Sequence, residues 1–99
     1  MREKTIENKL VQAVKNRGGL ALKLISPSFD GMPDRLVLFP GGKIAFVKVK
    51  AMTRAGLAGR KPRPLQEARH RMLRRLGFCV FVLDHAEKIG EIIDEIRSA

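Results

Sequence analysis

Two hydrophobic rhythms divide the chain. In residues 3–17, Ile6, Leu10, Val11 and Val14 recur at helical spacing, and Gly18-Gly19 closes the segment. Glu7 lies one turn before Val11, so a carboxylate sits at the edge of that apolar stripe. LALKLI (20–25) alternates in part and reads as a strand, and SPSFDGMP (26–33) is a loop of turn formers. DRLVLFP (34–40) is a strand ended by Pro40. Gly41-Gly42 supplies the positive φ of a tight hairpin, and KIAFVKVKA (43–51) is the return strand. In that strand Ile44, Phe46, Lys48 and Lys50 fall on one face, and Ala45, Val47 and Val49 on the other. Both faces of its apolar half are hydrophobic, which predicts a central strand. MTRAGLAGRKPRP (52–64) is a basic loop. PLQEARHRMLRRLG (64–77) is predicted as a helix with Pro64 in its first turn and Gly77 as its stop. Its expected apolar stripe is Leu65, Ala68, Met72, Leu73 and Leu76. FCVFVLD (78–84) reads as a buried strand, and HAEKIGEIIDEIRSA (85–99) as a last helix, with Ile89, Ile92, Ile93 and Ile96 on one side.

The order is therefore α-β-β-β-α-β-α. Strand 43–51, helix 64–77 and strand 78–84 form a βαβ unit, which calls for two parallel strands and a right-handed crossover. The earlier strands join as antiparallel neighbours. An α/β domain with a mixed central sheet flanked by helices is expected, and the length suits one domain over residues 1–99.

Charge narrows the partners. Twenty Lys and Arg residues against ten Asp and Glu give a net charge of +10, the electrostatic footprint of a polyanion binder, most often of nucleic acid. Candidate phosphate contacts are Arg54, Arg60, Lys61 and Arg63 in the basic loop and Arg69, Arg71, Arg74 and Arg75 on the following helix; Lys23 and Arg35 are weaker ones. The single cysteine, Cys79, lies in the apolar run FCVFVL and is expected in the core, in a reducing compartment. No Cys/His spacing suggests zinc. The N-terminus is too charged for a signal peptide, and FCVFVL is far too short to span a membrane, so an intracellular protein of phage or bacterial type is expected.

The hairpin carries the candidate chemistry. Its fold brings Asp34, at the start of one strand, to Lys48 and Lys50, at the end of the next, and period-2 alternation points 48 and 50 to the same face. Glu7 could pack against the same sheet, and Gln66, opening the helix after the basic loop, could approach from above. Two readings are open for these residues: a cross-strand salt bridge, or a metal site with one part exchanged. His70 and His85 have no partner that marks a general base.

Glu7, GLALKLISP (19–27), GMPD (31–34), PGGK (40–43), FVKVKA (46–51), PLQ (64–66) and LGFCVFVLD (76–84) together resemble the PD-(D/E)xK nucleases, and within them the stand-alone virus-type replication-repair nuclease (VRR-NUC) domain, over about residues 3–96. The resemblance implies a restriction-endonuclease-like αβββαβα core. It also implies a Mg2+ or Mn2+ site held by Asp34, the backbone carbonyl of Val49 and, through water, Glu7. Lys50 would position or activate the attacking water and Gln66 would orient the site. The implied activity is structure-selective cleavage of branched DNA such as a four-way junction, for which a homodimer is suited because two symmetric cuts match two related sites.

One position departs from the pattern. The family has an acidic ligand two residues before the lysine, and this chain has Lys48 there. A carboxylate replaced by an ammonium swings the local charge by two units, and one ion pair at about 4 Å and an effective dielectric near 20 is worth roughly 4 kcal/mol. Weakened metal binding and impaired cleavage are expected, with the Lys48 ammonium standing in the metal's place. Every other motif position is intact, which favours a single replacement, engineered rather than drifted, of a parental glutamate. The rival expectation is a non-catalytic nucleic-acid-binding module that kept the nuclease fold.

Overall fold

A computed structural model of the chain describes residues 2–50 and 64–99. Its elements follow in the order α1 (Glu3–Asn16), β1 (Leu20–Lys23), β2 (Arg35–Phe39), β3 (Lys43–Val49), α2 (Pro64–Arg75), β4 (Cys79–Leu83), a 3-10 turn (Ala86–Lys88) and α3 (Ile89–Ser98). The order matches the expected αβββαβα arrangement. Several boundaries differ by one or a few residues, three of them with consequence. Strand β1 stops at Lys23, Asp34 stands just before β2 instead of inside it, and the last helix is preceded by the 3-10 turn. The basic loop, with Arg54, Arg60, Lys61 and Arg63, lies outside the described residues.

The sheet order is β1-β2-β3-β4. Strands β1 and β2 pair antiparallel, as do β2 and β3, while β3 and β4 run parallel. The hairpin closes at Phe39 opposite Lys43, and Gly41 and Gly42 take φ of +85° and +74°. Side chains at both positions would have to enter the left-handed region, which only glycine adopts at no steric cost.

Helices α1 and α3 cover one face of the sheet and α2 the other. On the first face Ile6, Leu10 and Val14 of α1 and Ile89, Ile92, Ile93 and Ile96 of α3 pack on Val37, Phe39, Ala45, Val47, Val49 and Leu83. The α1 and α3 residues among them are those that helical spacing puts on one side, and Ala45, Val47 and Val49 share one face of β3 as period-2 alternation predicts. The second layer is thinner: Leu73 of α2 meets Phe46 and Val80, with Leu24, Met32, Leu36, Met72 and Phe78 at its margin. Phe46 and Phe78 meet edge to face, their centroids 5.7 Å apart.

Two expectations about burial are corrected. Strand β4 is a sheet edge, so only Val80 and Leu83 of it are buried and Cys79 is exposed. In α2 the inward residues are His70 and Leu73, whereas Leu65 and Leu76 are 43% and 65% exposed. A histidine thus takes the place expected for a leucine on the thinly covered face, where polar groups can be kept close to the sheet. No helix among the described residues is long and apolar enough to cross a membrane.

Candidate active site

The loop before β2 delivers Asp34 to the end of the hairpin. Its N–H donates to the Val47 carbonyl (3.1 Å), and its carbonyl accepts the N–H of Leu24 (2.9 Å). The neighbouring register pair, Arg35 opposite Val47, points toward α1 and α3. Alternation therefore turns Asp34 and Lys48 to the α2 face. There one carboxylate oxygen of Asp34 accepts the Val49 N–H at 2.8 Å. The other lies 3.4 Å from the Lys48 Nζ, with both side chains partly buried. The N–H and C=O of one strand residue point to the same neighbour, so the Val49 carbonyl is also turned toward the Asp34 side. Lys50, whose N–H bonds the Leu83 carbonyl (2.8 Å), continues the alternation on the α2 face.

Glu7 is placed differently. Its carboxylate accepts the Arg35 Nε–H at 2.7 Å, in a pair with 16% and 21% side-chain exposure. Arg35 also donates to the Ala21 carbonyl at 3.2 Å. Arg35 is thereby a tie between α1, β1 and β2, and Glu7 sits one residue along from Asp34 on the opposite face of the sheet. Lys23, opposite Arg35 in the ladder, is exposed. Arg69 donates from Nε to the Asp30 carbonyl at 2.9 Å, and its guanidinium carbon lies 3.6 Å from the Phe29 ring centroid. Arg74 donates to the Val80 carbonyl at 3.0 Å. Arg71 faces Glu67 at 4.0 Å on an exposed turn, a pair of little energetic weight.

His70 lies outside the predicted apolar stripe of α2, yet it is 4% exposed, and its Nε2 has no hydrogen-bond partner among the described residues. Burial lowers its pKa from the ordinary 6.5, and the positive charges of Arg74, Lys48 and Lys50 lower it further, against Glu67. His70 on α2 is therefore close enough to Lys48 and Lys50 to feel their charge. The signal was available: residue 70 is four after Gln66 and three before Leu73, so all three share one side of α2. Gln66 is half-buried there. His85 has no such setting. Asp84, the carboxylate that follows β4, is committed to Lys88 at 2.8 Å, and that hydrogen bond is the main reason its pKa is held down.

A divalent cation of the Mg2+ type takes hard oxygen ligands, carboxylates above all. Among the described residues no three His, Cys, Asp or Glu side chains converge on one point. Asp34 and the Val49 carbonyl offer oxygens, but the third position carries an ammonium that already faces Asp34. The residues present do not fit a firmly held divalent ion. What the described residues show is one carboxylate, that of Asp34, held between the Val49 N–H and the Lys48 ammonium.

No protein-family model matches the chain. The chain is similar to "Putative nuclease p44" of Acyrthosiphon pisum secondary endosymbiont phage 1, at 48% identity over 97 residues that cover 98% of this chain and 97% of that protein. It is also similar to a solved structure described as "VRR_NUC domain". That likeness has a TM-score of 0.78 and 29% identity, and covers 93% of this chain and 94% of the other.

Proposed function

The chain belongs to the VRR-NUC family of nuclease domains, and from that premise we propose that it derives from a Mg2+- or Mn2+-dependent endonuclease for branched DNA whose cutting is impaired by Lys48. The observation that carries this reading is the meeting of Asp34, the Val49 peptide and Lys48 at the end of the hairpin. A divalent ion at such a site would supply water activation and charge stabilisation. Asp34 and the Val49 carbonyl are two of its proposed ligands, and a glutamate at 48 would be the third. With lysine there, attraction to a divalent ion becomes repulsion. On this reading Lys50 would steer the attacking water and Gln66 would orient the site from α2, while Glu7, paired with Arg35 on the opposite face, keeps a structural role.

Binding needs no metal. The net charge of +10 draws the polyanion in. We assign phosphate contacts on the duplex arms to Lys23 and to the basic residues of 52–63. For a four-way junction, two sites related by a two-fold axis place two symmetric cuts, and we assign the chain to a homodimer on that ground. Leu20 and Leu22, 54% and 41% exposed on the edge strand β1, leave apolar surface for a second copy. A reducing, intracellular setting suits the exposed thiol of Cys79.

The test is reversion. Lys48→Glu is expected to cleave junction or flap DNA with Mg2+ or Mn2+, and Asp34→Ala in that background is expected to abolish the cleavage. If Lys48→Glu binds DNA and cuts none of these substrates with either ion, the chain is a binding module that kept the nuclease fold.

A further inference from the structure

The loop that carries Asp34 also presents an aromatic ring. Phe29 is 41% exposed although one face of it is stacked on the Arg69 guanidinium, 3.6 Å from the ring centroid. Three contacts fix that arrangement. Arg69 Nε donates to the Asp30 carbonyl (2.9 Å), so the cation is tied to the residue next to the ring. The Phe29 N–H donates to the Ser26 carbonyl (3.1 Å), which closes the turn. Gly31, at φ +86°, lets the loop lie against α2, where a Cβ would come within 2.9 Å of the Leu65 side chain and 3.2 Å of the Arg69 side chain. The ring is thus held in one pose by its own loop and by α2 while much of its surface stays exposed.

We infer that Phe29, backed by Arg69, is a stacking platform for an unpaired nucleobase at the branch point of the DNA. Unpaired bases are gripped by stacking on aromatic rings and on guanidinium planes, and a paired base buried in a duplex offers neither face. Phe29 and Asp34 are five positions apart, so their Cα atoms lie at most about 18 Å from one another, within the span of a few nucleotides bound at the candidate site. The inference rests on the proposed DNA substrate and adds to it what distinguishes a branch from plain duplex. Arg69 acts here through the ring and the loop, so it is a positioning residue.

The experiment uses the chain with Lys48 in place, so cleavage does not intrude. Binding of a splayed fork with 2-aminopurine at the branch, and of a fully paired duplex of the same length, is measured for the unaltered chain, Phe29→Ala and Phe29→Trp. Stacking of one base is worth about 1–3 kcal/mol, or roughly 5- to 150-fold. Phe29→Ala is expected to weaken fork binding at least fivefold and leave duplex binding within twofold. Phe29→Trp is expected to restore the fork affinity, and 2-aminopurine fluorescence is expected to be quenched with Phe or Trp and not with Ala. Thermal unfolding of each variant separates loss of the ring from loss of the loop. If the unaltered chain binds the fork and Phe29→Ala binds it equally well, or if fork and duplex weaken together, the platform is wrong while the DNA reading stands. If the unaltered chain binds neither DNA, both fall.

Discussion

Asp34 holds its place through two partners of unequal weight. The Val49 N–H is bonded at 2.8 Å, whereas the Lys48 ammonium is 3.4 Å away. Losing the carboxylate leaves the amide and the ammonium without it, and an unsatisfied buried donor costs about 1–3 kcal/mol. Asp34→Ala is therefore expected to lower stability by that amount in urea unfolding, and Lys48→Met by less than about 1 kcal/mol, as for a partly exposed ion pair. His70 gives a second prediction. Its folded pKa lies below the unfolded 6.5 because of burial and the nearby cations. As pH falls the unfolded chain takes up the proton first, so the group's contribution is whole above the unfolded value and drains as pH drops through the folded one. Urea midpoints are expected to decline from pH 7.5 to 5.5, a window above the ordinary carboxylate range, and His70→Leu is expected to flatten that decline.

Among the elements, the tie between α1 and β2 deserves a direct test. The Glu7–Arg35 pair is largely shielded from solvent at 2.7 Å. Charged hydrogen bonds of this kind contribute about 1.5–3 kcal/mol, so Glu7→Gln is expected to destabilise by that order, and a double-mutant cycle with Arg35→Met is expected to recover most of it as coupling. Leu10→Ala, at a fully buried α1 position, is expected to cost about 2–5 kcal/mol. These elements also mark what could be read beforehand. The hairpin was legible because the strand period and the Gly-Gly turn together fix register, and register alone sets Asp34 against residues 48 and 49. The partner of Glu7 was not, since a bond between residues 7 and 35 depends on how α1 lies across the sheet, which no local pattern encodes. The α2 stripe differs for a simpler reason: that helix covers only part of the sheet, so Leu65 and Leu76 stay exposed while His70 turns inward.

At the level of the whole molecule, excess positive charge sets the terms of association. Each phosphate neutralised releases counterions, so log affinity falls linearly with log salt at a slope of about −0.9 per contact. Six or more contacts are expected from this surface, and affinity for duplex DNA is expected to drop about a thousandfold between 50 and 200 mM salt in a fluorescence-anisotropy titration. A nearly flat response would remove the electrostatic basis for a DNA partner. The main chain of Val49, not the side chain at 48, anchors the aspartate. The amide that holds Asp34 is consequently independent of the side chain at 48, so an exchange at that position leaves the scaffold of this corner standing.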